Sequence, residues 1–233
     1  MSLLWGVEFK REIINKIKHK PSWIFFDLDG TLADSLPVMY QVYQDFLADY
    51  GVTGSKAEFD ELNGPSLKEV VAILKARYFL KGSSEELLSQ YQAKIGSLYS
   101  QFIKPVEGAA ELLNYLCESG YQLMLVTSTT QNVAKTFIHK QGWSDYFKDF
   151  VFGDSVLVSK PRPEIYQIAL ARAKVDSSSV VVVEDSVNGI LSACAAGLTV
   201  IGLTSNNNHQ SLINAGSSAV IDKLKDLENL LSD

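Results

Sequence analysis

Cysteine is scarce in this 233-residue sequence: Cys117 and Cys194 are the only two, and neither has a second candidate ligand at short spacing. That excludes a disulfide framework and a zinc site as organising devices, and leaves buried free thiols of a reducing cytoplasm as the expected state. Positive charge is in deficit as well. The 21 Lys and Arg face 27 Asp and Glu, a net charge of -6, so no basic field is available to hold nucleic acid. A small anion gripped by a local site stays open. Long apolar runs are also missing: no stretch approaches the roughly 20 residues needed to span a bilayer, and the N-terminus has no apolar core of a signal peptide. The expectation is a cytoplasmic protein with no membrane partner. What the chain does have is apolar content, 46% hydrophobic residues over 233, enough for one domain with a sizeable insertion or for two small domains.

Residues 1–20 read as an N-terminal extension in which Ile13, Ile14 and Ile17 share one face of a short amphipathic helix, a pattern that more often packs on its own domain than on a membrane. From Pro21 onward, apolar runs that end in polar residues alternate with helical patterns. The strands read are Trp23 to Asp27, Gln122 to Thr127, Phe150 to Phe152, Val180 to Glu184, Val200 to Leu203 and Ala219 to Ile221. Helical segments lie near 109–119, 131–141, 163–174, 187–195, 209–215 and 224–231. Almost wholly apolar strands separated by helices indicate a parallel sheet covered on both faces. Between Leu36 and Lys104 the alternation stops, and only helical patterns appear, such as Val38 to Tyr50, Leu67 to Phe79 and Ser84 to Tyr99. The expected architecture is therefore α/β: a Rossmann-like parallel sheet over 21–35 and 105–233, with an all-helical cap, 36–104, inserted after the first strand.

Ligands of open α/β sheets bind beyond the carboxyl ends of the strands, so the polar residues at those ends are the site candidates. The first strand ends in Asp27 and turns through Asp29-Gly30-Thr31; the second ends in Thr127-Ser128; the fourth ends in Glu184-Asp185. Lys160 precedes the helix that Pro163 can open. If these ends converge, Asp27, Asp29, Glu184 and Asp185 put four carboxylates in one cleft, and their repulsion calls for cations. An all-oxygen donor set favours a hard ion, Mg²⁺ first, which binds through one or two carboxylates together with a substrate phosphate. Lys160 adds a further positive charge, and the Thr127-Ser128 hydroxyls and amides can donate to phosphoryl oxygens. An aspartate at a strand end is a route to an acyl-phosphate, and a carboxyl two residues on can protonate a leaving alkoxide and then deprotonate water. Gly30 lets the chain turn sharply between them.

Taken singly, these signals are ordinary. Thr127 reads as a helix cap, Lys160 as a surface charge, and Glu184-Asp185-Ser186 as the acidic first turn of a helix. Their order and shared placement are what carry weight. Asp27-Leu28-Asp29-Gly30-Thr31, Thr127-Ser128, Lys160-Pro161 and Glu184-Asp185-Ser186 resemble the four ordered motifs of the haloacid dehalogenase superfamily, over residues 22 to about 222. The resemblance implies Asp27 as nucleophile and Asp29 as general acid/base, with Gly30, Thr127, Ser128 and Lys160 around the phosphoryl group. It also implies Mg²⁺ on Asp27, the Asp29 carbonyl and Asp185, with Glu184 bound directly or through water, and a cap that closes over the site.

Within that family Asp29 argues against dehalogenation, whose branch lacks an acid there. The expected activity is hydrolysis of a small phosphorylated metabolite, a sugar phosphate or a phosphoglycolate-like ester, by a monomer. The alternative is a phosphosugar mutase of the β-phosphoglucomutase type, suggested by Glu184-Asp185-Ser186-Val187-Asn188-Gly189 but lacking that branch's histidine in the neighbourhood of Met39. A non-catalytic binding protein on the same fold is a third class, and no substituted motif residue supports it. For substrate contacts the candidates are Asn63 in the turn 63–66, Lys68 and Arg77 in the cap, and Arg162 beside Lys160.

Overall fold

The computed structural model describes residues 21–62, 66–205 and 209–231. The expected N-terminal helix and Asn63 lie outside the described residues. The core begins with β1 (Trp23–Phe26) and continues, after the insertion, through α5 (Ala109–Glu118), β4 (Gln122–Val126), α6 (Gln131–Lys140), β5 (Phe147–Val151), α7 (Glu164–Ala173), β6 (Val180–Glu184), α8 (Val187–Ala195), β7 (Thr199–Leu203), α9 (His209–Asn214), β8 (Ala219–Ile221) and α10 (Asp226–Leu231). The six strands form one sheet in the order β5-β4-β1-β6-β7-β8, every pairing parallel. From β1 the chain winds outward to β4 and β5, then returns to the other side of β1 for β6. The ends of β1 and β6 thus meet where the winding reverses, the crevice that ligands occupy in doubly wound sheets.

Strand alternation builds two hydrophobic layers. Ile24 and Phe26, with Leu123, Leu125, Val181 and Val183, face the side covered by α5, α6 and α10. Phe25, with Met124, Val126 and Val182, faces α7, α8 and α9. Both faces are buried, so β6 is the unbroken run Val-Val-Val-Val-Glu with all five residues buried. Each fully buried Phe or Leu contributes roughly 1.5–3 kcal/mol. Glu184, last in that strand, is the polar exception that the fold must accommodate.

The insertion is helical, as read. It comprises α1 (Leu36–Ala48), α2 (Lys56–Glu61), α3 (Leu67–Tyr78) and α4 (Ser84–Phe102), packed about their own cluster of Val42, Phe46, Val71, Leu74, Leu87 and Tyr91. Ser66 with Glu69, and Ser83 with Glu86, form capping boxes that start α3 and α4. Towards its end α4 also joins the main core, where Tyr99 and, just past the helix, Ile103 are buried, while Leu98 still packs against the cap cluster. Two short strands zip the linkers together: β2 (Ala33–Asp34) pairs antiparallel with β3 (Lys104–Pro105). Among the described residues no helix is long and apolar enough to cross a membrane.

One local expectation needs correcting, and three short elements leave little trace in the sequence. The third core strand is Phe147–Val151 rather than 150–152; it lies at the sheet's edge, where Lys148 and Asp149 can face outward and hide the apolar signal. The two-residue strands β2 and β3 are too short to show alternation. The six-residue α2 is too short for a helical period, and only its Ser55 cap, accepting from the Glu58 N–H at 3.1 Å, marks it.

Candidate active site

Asp27 directly follows β1, and its N–H donates to Val183 O at 3.1 Å, so the sheet itself sets its position. Its side chain meets Lys160. The Lys160 ammonium donates to Asp27 Oδ1 at 2.7 Å, Glu184 Oε1 at 2.5 Å and the Val126 carbonyl at 3.2 Å, which uses all three of its protons. Lys160 and Asp27 are each 6% exposed and Glu184 is fully buried. Burial pushes the Asp27 carboxyl well above its ordinary value, with Glu184, Asp185 and Asp29 adding to the rise and Lys160 opposing it. Burial alone would lower the Lys160 ammonium, but Asp27 and Glu184 hold it well above the usual range. It remains a cation.

Glu184 is held at both oxygens. Oε1 also accepts from the Tyr166 hydroxyl at 3.1 Å, and Oε2 accepts from the Ser186 N–H at 3.2 Å and the Ser186 hydroxyl at 3.0 Å. The carboxylate rests where Gly189 has no side chain: a Cβ there would lie 1.8 Å from Oε1. Asp185 accepts from Ser205 Oγ at 2.7 Å and Thr31 Oγ1 at 3.4 Å. Asp27, Glu184 and Asp185 each present a carboxylate oxygen within 4.8 Å of the others. Three carboxylates against one ammonium leave room for one dication, and an all-oxygen set suits Mg²⁺.

Asp29 stands on the rim, half-buried. Tyr99 Oη donates to its Oδ1 at 2.8 Å, and Thr129 Oγ1 to its Oδ2 at 2.5 Å. The turn that carries it needs Gly30, whose φ is 82°; in it the N–H groups of Thr31, Leu32 and Ala33 all converge on Leu28 O. Thr127 is buried, donates its N–H to Val151 O and accepts from the Thr129 N–H at 3.0 Å. Ser128 is exposed, its carbonyl packed so closely on Gly153 that a Cβ there would come within 1.9 Å.

The structure therefore brings Asp27, Lys160, Glu184 and Asp185 together, with Asp29, Gly30 and Thr127 on adjoining loops. The outlying candidates are different. Lys68 and Arg162 are exposed. Arg77 donates to Glu58 Oε1 at 2.5 Å, and Glu58 also accepts from the Tyr43 and Tyr78 hydroxyls, so the charge read as a substrate contact has its partner inside the cap. Sequence reasoning passed over Tyr99, Thr129, Tyr166 and Ser205. Thr129 could have been found beside Thr127, while the other three carry no local signal.

The profile of the haloacid dehalogenase-like hydrolase family matches residues 24–203. The chain belongs to that family. The hydrolase is 31% identical over 212 residues to a phosphorylated carbohydrates phosphatase of Thermotoga maritima, covering 90% of this chain and 98% of the relative. It is 30% identical to a phosphoglycolate phosphatase of Vibrio parahaemolyticus, covering 88% of this chain and 93% of the relative. Among solved structures it resembles CbbY from Rhodobacter sphaeroides in complex with phosphate, with a TM-score of 0.77 and 25% identity over 89% of this chain and 96% of that one.

Proposed function

We propose that this hydrolase is a Mg²⁺-dependent phosphatase of a small phosphorylated metabolite, a sugar phosphate or a phosphoglycolate-like ester, working through an aspartyl-phosphate on Asp27. The observation that carries the reading is the Asp27–Lys160 pair at 2.7 Å, buried at the switch point of the sheet beside Glu184 and Asp185. The names of the two relatives support the substrate class.

Asp27 attacks phosphorus as a carboxylate, and the ester P–O bond breaks as the new P–O bond forms. The departing oxygen takes the Asp29 proton. Asp29, now ionised, then removes a proton from water, whose oxygen attacks the acyl-phosphate and releases phosphate from Asp27. Lys160 offsets charge on the phosphoryl oxygens. The Thr127 oxygen takes the Thr129 N–H, which leaves its own proton to donate. Asp27, Asp185 and the Asp29 carbonyl would hold the metal, with Glu184 in reach; when bound it supplies charge neutralisation that lets an anionic nucleophile approach an anionic ester.

The test is phosphate release from p-nitrophenyl phosphate and from a panel of sugar phosphates, phosphoglycolate and nucleotides with Mg²⁺, comparing wild type with Asp27→Asn. Wild-type turnover abolished by the substitution is expected. Equal release by both proteins would sink the nucleophile assignment. Conversion of β-glucose 1-phosphate to the 6-phosphate with no free phosphate would replace the phosphatase with the mutase.

A further inference from the structure

Both oxygens of Asp29 are taken by donors that come from different parts of the fold. Thr129 lies on the loop after β4, within the core. Tyr99 lies on α4, the last helix of the insertion, 70 residues away in sequence. The Tyr99 ring is itself immobilised: it is 2% exposed, sits in the main hydrophobic cluster, and meets Phe137 edge-on at 6.0 Å and 85°. Its hydroxyl donates to Asp29 Oδ1 at 2.8 Å. A donor on each oxygen leaves the Asp29 side chain a single rotamer.

We propose that Tyr99 is a positioning residue for the acid–base step: with Thr129 it aims the Asp29 carboxyl at the oxygen that leaves, and so makes the cap's last helix part of the catalytic apparatus. This rests on the phosphatase reading, in which Asp29 is the acid. The ring and the hydroxyl of Tyr99 have separable duties. The ring fills the core, and Phe in its place keeps that packing, whereas the hydroxyl donates to the Asp29 oxygen. A merely structural role for the hydroxyl would slow all substrates alike. A role through the acid would not, because an alkoxide needs its proton as the P–O bond breaks, while p-nitrophenolate departs as a stable anion.

The experiment is single-turnover release of the leaving group from an alkyl phosphate and from p-nitrophenyl phosphate, at saturating Mg²⁺, for wild type, Asp29→Asn, Tyr99→Phe and Thr129→Val. For Tyr99→Phe we expect release of the alcohol to fall about tenfold or more and release of nitrophenolate about twofold or less, with KM little changed and the melting temperature near wild type. Thr129→Val should show the same asymmetry, and it keeps the test valid if Tyr99→Phe folds poorly. Equal losses on both substrates, or no loss on the alkyl phosphate, overturn the role of Tyr99. The failure of the underlying reading looks different. In that case Asp29→Asn itself shows no leaving-group asymmetry, or wild type releases nothing, and the proposal falls with it.

Discussion

Adding one methyl group at Gly189 tests whether Glu184 is the brace of the site. In a helix, Gly→Ala ordinarily stabilises by about 0.5–1 kcal/mol, and Gly96 in α4, where a Cβ meets nothing within 4 Å, should show that gain. At Gly189 the new Cβ would lie 1.8 Å from Glu184 Oε1 and 2.2 Å from Oε2. Restoring ordinary contact requires the carboxylate to retreat by about 1.5 Å. It cannot do so and keep the bonds at 2.5 Å to Lys160 and 3.1 Å to Tyr166. Charged hydrogen bonds are worth about 1.5–3 kcal/mol each, and a broken buried ion pair costs about 3–5 kcal/mol. Allowing for the helical gain, Gly189→Ala should lose about 3–4 kcal/mol, a fall of roughly 10 °C in Tm for a chain of this size. Because Lys160 loses one of its three acceptors, kcat should drop at least about tenfold. Thermal melts and steady-state kinetics of the two Gly→Ala variants, side by side, decide it. A Gly189→Ala protein that melts like wild type with unchanged kcat would refute the bracing argument.

Further expectations concern charge and backbone. Lys160→Met removes the cation that neutralises buried carboxylates, so the metal-free protein should lose about 3–5 kcal/mol, part of it regained on adding Mg²⁺, as read by melting with and without the ion. Because the Asp27 pKa is raised by burial, the folded state holds that proton more tightly than the unfolded one. Stability from this group is full below the unfolded value near about pH 4 and is lost as pH rises through the folded value. Metal-free Asp27→Asn should therefore melt above wild type at neutral pH, and the gap should close in acid. The same proton competes with the metal, so the Mg²⁺-induced rise in Tm should shrink as pH falls; a rise that is constant with pH would contradict it. Gly153→Ala should be severe, since the obstacle is the Ser128 backbone oxygen at 1.9 Å; kcat should fall through displacement of Thr127 and Thr129, with circular dichroism confirming that the fold survives.

The residues that could be read from sequence are those whose position follows from a strand end. Asp27, Glu184 and Asp185 terminate apolar runs, and a parallel sheet buried on both faces makes such runs conspicuous. Asp29 and Gly30 follow by being next in chain. Tyr99 could not be found that way. Its contact with Asp29 spans 70 residues and arises from how an inserted helix lands on the core, for which local pattern holds no information. Arg77 illustrates the converse: an isolated charge on a helix gave no hint that Glu58 is buried beneath it. The edge strand β5 is only partly legible because an edge tolerates Lys148 and Asp149 where a central strand would not.

One feature of α4 bears on how this architecture can be recombined. The helix is 19 residues long, roughly 28 Å at the usual rise, with Leu87 and Tyr91 in one hydrophobic cluster and Tyr99 in the other. A chimera that exchanged caps at the paired linkers would carry a foreign residue into position 99, and with it a foreign partner for Asp29. The productive splice lies inside the helix, between Tyr91 and Ile95, so that a transplanted lid arrives on the recipient's own final turns. The contact between Tyr99 and Asp29 would then survive the exchange of the lid.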